Sequence, residues 1–522
     1  MHALEGCPDL EYVLVAQEGV AMGMADGYAR ETGKPAFVNL HIETGLSNGL
    51  SLLVNAFAGG TPLVLTSVNS DMSKVAEGRT DLVDLTRPFT KWGAEVTHAD
   101  HLSAVMRRAF RVAKTPPTGP TYVSIAQNAL DESTSVSVSP SGELDTRISA
   151  DAELVAAAAR LLVEANHPVL LVGDRVAQYG AVDAAVAFAE QIGAEVYGAS
   201  YPEMMFPTPH AQWVGLLPPY VPFYRDALAK ADVVVAVGAR VFHDFFRAAT
   251  EVLPEGTKLI QLDIIQDEIS RTEVADVGVW SDLGLGLTAL RAAALERYTP
   301  EQETAVAGRV QRLSAAAADR RRASVAIPQS GSSDAPMPVR AMMSGIADAL
   351  PQNAIVVDDS VSSRMDLHAA VSFDENRCVH AERAGGAIGW GMGAALGVSL
   401  GAPGRPVIAV VGDGSAMMTV QALWTAATYR IPIVYVICNN ASYRVLKVNL
   451  KRWFGEVLGD PDTQSRYLGM DFTNPFNFAS IARSFGVPAE RVKDASEVAA
   501  AVRRALAVEG PALVDVVIDG GV

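Results

Sequence analysis

Residues 405–440 read RPVIAVVGDGSAMMTVQALWTAATYRIPIVYVICNN, and the parsing of this stretch decides the fold. An apolar run of strand length ends in Gly-Asp-Gly. A segment of helical character follows, and a second apolar run ends in Asn-Asn. Strand, helix and strand in that order make one βαβ unit, with a right-handed crossover and parallel strands. Parallel strands bring their C-terminal ends to one sheet edge, where α/β proteins bind ligands. Neighbouring strands lie ~4.8 Å apart. Asp413 and Asn440, distant in the chain, are therefore expected to reach the same ion.

The donor types narrow that ion. Carboxylate and amide oxygens are hard ligands suited to Mg²⁺ or Ca²⁺. Mg²⁺ takes one or two carboxylates and fills its octahedron with phosphate and water oxygens. Gly412 and Gly414 let the backbone approach a ligand closely. A helix expected to start near Ser415 turns its N-terminus to the same place, which favours phosphate. The chemistry points to a metal-bound diphosphate. Neither G-x-x-x-x-G-K-[ST] nor G-x-G-x-x-G stands at the strand ends, so a P-loop and a dinucleotide fingerprint are set aside.

The same alternation runs through the whole chain. A first block, 1–140, has strand-like runs at 12–16, 36–40, 62–67 and 121–125 and closes in a Ser-rich polar stretch. A second, 150–325, carries HPVLLVG, ADVVVAVG and TKLIQLDI among Ala-rich helices and closes in PQSGSSDAPMP. A third, 336–522, holds the opening motif. Short apolar strands alternating with helices predict an α/β protein with three doubly wound parallel sheets. A faint echo links GVAMGMADGYARETGKPAFVNL in the first block to GWGMGAALGVSLGAPGRPVIAVV in the third.

Composition agrees. A chain of 522 residues, 49% hydrophobic, exceeds one core and divides into domains. Its net charge of −17 argues against a nucleic-acid partner. Cys7, Cys378 and Cys438 show neither metal-ligand nor disulfide spacing. The first residues lack the basic and apolar regions of a signal peptide, and no apolar run reaches the ~20 residues that span a bilayer. A cytoplasmic protein without a membrane partner is the expectation.

Gly-Asp-Gly followed at this distance by Asn-Asn resembles the motif of the thiamine-diphosphate-dependent enzymes. The block order also resembles theirs: pyrimidine-binding domain, central Rossmann-like domain, diphosphate-binding domain. The resemblance implies thiamine diphosphate and Mg²⁺ as cofactors. Asp413, Asn440 and Ser442 would hold the metal, and Gly414 and Ser415 would contact the diphosphate. In YVLVAQEGVAMGMADGYA, Glu18 matches the glutamate that hydrogen-bonds the pyrimidine ring. In HAERAGGAIGWG, Ile388 matches the aliphatic wedge between the two cofactor rings, and the Gly386 carbonyl would accept from the pyrimidine amine. The family pairs its cofactor-binding domains across a dimer, so self-association as a dimer or tetramer is implied.

The substrate positions resemble benzoylformate decarboxylases most. His41, in PAFVNLHIETG, stands where that branch carries a histidine able to exchange a proton with a bound 2-oxo acid. A second histidine is expected from the central domain. His243, in GARVFHDFFRAA, lies near its place, while an ungapped match puts Phe245 there. Leu446 matches an apolar residue of the substrate pocket. Lys447, Lys451 and Arg452 beside it read as a solvated basic face. The family carries a further βα unit ahead of the strand before Glu18. This chain begins inside that unit's helix, and a start further upstream is the expectation.

The implied activity is decarboxylation of a small 2-oxo acid, aromatic like benzoylformate, to the aldehyde and CO₂. Two alternatives stand beside it. One keeps the cofactor but changes the reaction, to acetolactate synthase-like carboligation or 2-hydroxyacyl-CoA cleavage. The other is a non-catalytic cofactor-binding homologue.

Overall fold

A computed structural model describes residues 5–142, 144–199, 203–244, 246, 251–324, 336–382 and 385–522. Three sheets organise it. The first comprises β1 (Ala36–Leu40), β2 (Leu63–Asn69), β3 (Trp92–Val96) and β4 (Thr121–Ala126), ordered β1-β2-β4-β3. The second comprises β5 (Pro168–Val172), β6 (Glu195–Gly198), β7 (Trp213–Leu216), β8 (Val233–Val237), β9 (Lys258–Asp263) and β10 (Val277–Trp280), ordered β10-β9-β8-β5-β6-β7. The third comprises β11 (Ile355–Asp359), β12 (Cys378–Ala381), β13 (Val407–Gly412), β14 (Val434–Asn439), β15 (Ala489–Val492) and β16 (Ala512–Val517), ordered β12-β11-β13-β14-β16-β15. All pairings between these strands are parallel.

Strand order reverses between β8 and β5 in the second sheet and between β11 and β13 in the third. Such switch points open a crevice at the C-terminal strand ends. The opening βαβ unit lies at the second of them, with β13 and β14 adjacent and Gly412 opposite Cys438. Its crossover differs from the single helix expected. It is two short helices, Asp413–Met418 and Ala422–Thr428. The break falls at Thr419, whose hydroxyl donates to the Gly389 carbonyl at 2.5 Å, so a tertiary contact replaces helix continuity there.

Two other expectations change. The run 12–16 belongs to no strand: Tyr12 and Leu14 are exposed, and the Leu14 N–H donates to the Tyr429 hydroxyl at 2.8 Å. Alternating apolarity does not make a strand without a ladder to satisfy its backbone. Conversely β3, WGAEV, lacks the apolar run that marks a strand, yet it pairs with β4. Its Glu95 is held by Asn69 at 3.0 Å and by Arg79 at 2.6 Å.

The echo acquires a physical meaning. Its two helices, Glu18–Thr32 and Trp390–Gly401, pack on each other and join the first sheet to the third. A Cβ at Gly27 would lie 2.2 Å from the Ala394 carbonyl oxygen, and one at Gly397 only 1.8 Å from that of Met24. Glycine inside a helix costs about 1 kcal/mol. Here it permits backbone-to-backbone contact that any side chain would block. Buried charge seals the same junction. Arg30 stacks on Trp390 at 4.6 Å from the ring centroid and donates to Glu203 and to the Ala381 carbonyl. His380 lies between Glu203 and Glu31. Burial pulls its imidazole down, but the two carboxylates more than offset this and hold it above its ordinary value. No helix among the described residues is long and apolar enough to cross a membrane.

Candidate active site

Asp413 opens the helix that follows β13. Its Oδ1 accepts from the Gly414 N–H at 2.8 Å, and its Oδ2 from the Ala441 N–H at 2.6 Å, just past β14. One carboxylate thus ties the two strand ends together. It is 2% exposed, and its hydrogen bonds come from backbone N–H groups rather than from Lys or Arg. Burial pushes it up to about 6 against those donors. The Asn440 Oδ1 accepts from the Ser442 N–H at 2.9 Å, and the Ser442 hydroxyl donates to the Met470 carbonyl at 2.9 Å. The loop is pinned further by Tyr443 N–H to Met470 O and Phe472 N–H to Ala441 O, both 2.8 Å. Among the described residues no three His, Cys, Asp or Glu side chains cluster as a metal site. A cation here would draw its other oxygens from Asn440, the backbone, water and the ligand. A buried carboxylate without a cationic side-chain partner, beside an amide oxygen, is a donor set that a hard divalent ion completes. The residues therefore fit the expected group.

Ile388, half-buried, sits in the turn 385–389 ahead of the Trp390–Gly401 helix. Gly386 is exposed with φ 74°. The Asn55 amide grips this turn from both sides, donating to the Ala387 carbonyl at 2.7 Å and accepting its N–H at 3.0 Å. The Ser415 hydroxyl accepts from the Gly389 N–H at 2.7 Å. Ile388, Gly386 and the Asp413–Ser415 turn thus share one neighbourhood.

Glu18 lies in the first helical turn, behind Gln17, whose side chain accepts from the Val20 N–H at 3.0 Å. Its Oε2 accepts from the Asn48 amide at 3.2 Å, and its Oε1 faces Gly45, where a Cβ would come within 2.9 Å. His41 follows β1 directly, exposed, as the N-cap of the Ile42–Ala58 helix without a side-chain capping bond. Glu18 and His41 share the edge of the first sheet. The Ile388 turn touches the Ile42–Ala58 helix at Asn55, ten residues or about 15 Å along it from Gly45. Among the described residues no hydrogen bond joins Glu18 or His41 to that turn or to Asp413.

His243 is exposed on a loop that Asp244 ties down through Val221 N–H at 2.7 Å and Phe246 N–H at 2.9 Å. Phe245 lies outside the described residues. Phe246 of this loop lies 5.5 Å from the guanidinium of Arg452, on the Arg444–Arg452 helix that carries the 44%-exposed Leu446. The basic residues there are not the solvated face expected. Lys447 turns inward to Asp471, and Arg452 stacks 3.5 Å over Tyr220 while pairing with Glu456. Lys451 alone of the three is exposed. Glu456 is a local i,i+4 partner, but Tyr220 and Asp471 come from distant segments, invisible in the local sequence. Three of the seven non-glycine residues with positive φ among the described residues adjoin candidate residues. Ile42 (φ 32°), Phe242 (φ 58°) and Ala441 (φ 54°) adjoin His41, His243 and Asn440. Non-glycine residues seldom hold such angles, and those that do gather at functional sites.

The sequence reading missed Asp359, Asn55, Asn48 and Thr419. Asp359 had a signal: VVDDS is an apolar run ending in acids, like the run that ends in Gly-Asp-Gly. It ends β11, fully buried, and its Oδ2 accepts from the Gly391 N–H at 2.8 Å and from the Ser415 hydroxyl. Burial pushes it up to about 6. Its neighbour Asp358 shifts oppositely: burial alone would raise it, but Arg364 and His368 hold it below the ordinary carboxylate range.

Known families match this arrangement end to end. The thiamine pyrophosphate enzyme N-terminal TPP binding domain matches residues 1–87, the central domain 155–290, and the C-terminal TPP binding domain 359–516. The chain belongs to the thiamine-diphosphate-dependent enzymes. Among members of this family it is 32% identical to a benzoylformate decarboxylase of Pseudomonas aeruginosa, over 97% of this chain and 92% of that one. It is 28% identical to an acetolactate synthase large subunit of Parasynechococcus marenigrum, over 99% of this chain and 82% of that one. A solved structure of a thiamine diphosphate-dependent 4-hydroxybenzoylformate decarboxylase from Rhodococcus jostii superposes with a TM-score of 0.82 at 28% identity, covering 99% and 94% of the two chains. As in other thiamine-diphosphate-dependent enzymes, the N- and C-terminal domains are the parts that bind the cofactor.

Proposed function

We propose that this enzyme uses Mg²⁺ and thiamine diphosphate to decarboxylate a 2-oxo acid, aromatic in the manner of benzoylformate, releasing CO₂ and the aldehyde. The observation that carries the cofactor reading is the buried Asp413 carboxylate, bound by backbone N–H groups alone at a sheet switch point and next to Asn440. Two relatives that bear the names benzoylformate and 4-hydroxybenzoylformate decarboxylase, together with His41, support the substrate class.

When bound, thiamine diphosphate supplies a nucleophilic carbon and an electron sink. The chain's part is placement. Asp413, Asn440 and Ser442 would hold Mg²⁺, and the backbone at Gly414 and Ser415 would face the diphosphate. Ile388 would fix the bend between the rings, with the Gly386 carbonyl accepting beside it. The Glu18 carboxyl would hold a proton at Oε1 or Oε2 for a ring nitrogen. The His41 imidazole, exposed at the strand end, would exchange one with the substrate. His243 would approach from the central domain, and Leu446 would line the apolar wall.

No hydrogen bond among the described residues joins Glu18 to Asp413 or to the Ile388 turn, which supports the reading that the complete site would form between two copies, in a dimer or tetramer. Mixing two inactive variants tests this. Glu18→Gln and Asp413→Asn subunits, refolded together, regain turnover because one of the two mixed sites is intact. No regain would place both residues in a single chain's site.

Cofactor-dependent CO₂ release from benzoylformate, phenylpyruvate, pyruvate and branched 2-oxo acids tests the reaction. Benzoylformate is expected to turn over fastest. Acetolactate formed from pyruvate, without free aldehyde, would favour the carboligase reading that the acetolactate synthase relative supports. Glu18→Gln is expected to lose about 10²–10⁴-fold in kcat while keeping cofactor affinity. Parent-like turnover would overturn its assigned role.

A further inference from the structure

We propose that Asp359 is a positioning residue of the cofactor site, latching the Ile388 turn onto the Gly-Asp-Gly turn through Ser415; the proposal rests on the cofactor reading above and deepens it. The geometry is a closed circuit across the switch point. Asp359, at the end of β11, is fully buried. A single oxygen, Oδ2, accepts from the Gly391 N–H in the first turn of one helix and from the Ser415 hydroxyl in the next. Ser415 in turn accepts from the Gly389 N–H at 2.7 Å. Thr419 closes the far side by donating to the Gly389 carbonyl at 2.5 Å. Residues 389–391 are thus held at two points to the helix that starts at Asp413 and its C-cap, and at a third to Asp359, which itself accepts from Ser415. Ile388 precedes this clamp by one residue, and Asp413 lies two before Ser415.

The circuit settles what the Ser415 hydroxyl does. A hydroxyl has one hydrogen to donate. That hydrogen goes to Asp359, and one lone pair takes the Gly389 N–H. Ser415 therefore meets a diphosphate with its backbone N–H, while its side chain sets the spacing between the ring wedge and the metal end of the site. The other Asp359 oxygen, Oδ1, is buried without a hydrogen-bond partner. An asparagine that presents its amide oxygen at the Oδ2 place keeps both accepted bonds, so the latch works by acceptor geometry rather than by net charge.

The experiment measures thiamine diphosphate affinity at fixed Mg²⁺ by calorimetry, and amide hydrogen exchange at Gly389 and Gly391 in cofactor-free protein. Asp359→Ala and Ser415→Ala are each expected to weaken cofactor binding by about 10- to 100-fold, the range for residues that orient ligand-holding groups. The double variant is expected to fall no further than the worse single one, because both cut the same link. Asp359→Asn is expected to stay within about threefold of the parent, since it keeps the acceptor. In cofactor-free protein both alanine variants speed exchange at Gly389 and Gly391, and Asp359→Asn does not. Parent-like affinity and exchange in the alanine variants would overturn the latch, and so would losses that multiply in the double variant. Should Asp359→Ala fail to fold, Ser415→Ala cuts the link from the other end and leaves β11 unaltered. A parent protein that bound no thiamine diphosphate would refute the cofactor reading, while the exchange arm would still decide the latch.

Discussion

The second and third sheets each bury an aspartate beside a strand-order reversal, and they neutralise it in opposite ways. In the second sheet, Asp263 ends β9 and pairs with Arg175, which follows β5, at 2.7 Å. Burial works against the Arg175 charge, yet Asp263 and Asp174 more than offset it and push the guanidinium up. The backbone closes on itself there: a Cβ at Gly173 would lie 2.2 Å from the Gly238 carbonyl. In the third sheet, Asp413 is just as buried and meets only N–H dipoles. A buried charge costs several kcal/mol unless something of opposite sign joins it. One edge carries its own countercharge and serves as scaffold. At the other, Asp413 is bound by backbone N–H groups, and the proposed function gives the countercharge to a bound cation. Asp263 and Asp413 thus differ by one arginine, while elsewhere in the third sheet Asp358 pairs with Arg364 at 2.9 Å.

The largest effect is expected where the chain supplies the countercharge. Arg175→Met strands Asp263 and should destabilise the fold by about 3–5 kcal/mol in urea titration, with cofactor affinity of the folded fraction unchanged. Asp413→Asn should do the reverse. Cofactor-free stability stays equal or rises, while Mg²⁺-dependent thiamine diphosphate binding weakens by at least about 100-fold. Should Asp413→Asn unfold the chain as Arg175→Met does, the two edges are alike and the comparison fails.

pH sharpens the contrast. Asp413 is pushed up to about 6 from an ordinary 3.8, so the folded chain holds a proton there that the unfolded chain releases. Its share of cofactor-free stability is therefore present at low pH and declines as pH rises from about 4 through about 6. Cation binding runs the other way, because the metal must displace that proton. Calorimetry between pH 5 and 7 should show Mg²⁺-dependent affinity falling by up to about tenfold per unit below about 6. The Asp413→Asn variant should give a flatter profile. A parent profile equally flat would mean that no proton competes at this carboxylate.

Much of this was legible in the sequence because strand ends announce themselves. Gly-Asp-Gly and Asn-Asn each close an apolar run, and strand adjacency does the rest. Glu18 and His41 were expected from the resemblance to the family; only His41 directly follows a strand, since the run before Glu18 forms none. What stayed hidden was what each group touches across the fold. Asn55 lies in mid-helix with nothing local to mark it, yet it grips the Ile388 turn. Lys447 and Arg452 look like a solvated stripe until Asp471 and Tyr220 arrive from elsewhere. The two glycine-rich helices looked like a repeat, whereas their resemblance is complementarity, each thinned to admit the other's backbone. The run 12–16 shows the limit from the other side: an apolar pattern names a strand only when a neighbour exists to pair with it.

The smallest expected effect tests whether the second sheet's domain is scaffold alone. His243 comes from that domain. Its neighbour Phe242 holds a left-handed φ of 58°, Asp244 ties the loop to the Val221 and Phe246 N–H groups, and Phe246 lies under Arg452 of the helix that carries Leu446. The imidazole itself is exposed, so water can take over a proton that it would carry. His243→Ala is accordingly expected to lower kcat/KM by about three- to tenfold, below the range of a positioned acid or base, with cofactor affinity untouched. A loss of a hundredfold or more in kcat would move His243 beside His41 in the chemistry and make the central domain a partner in it. No loss at all would leave the strained Phe242 turn as a device for seating the loop. The contrast would then rest on the two aspartates alone: Asp263 meets its own chain's arginine, and Asp413 meets only backbone N–H groups.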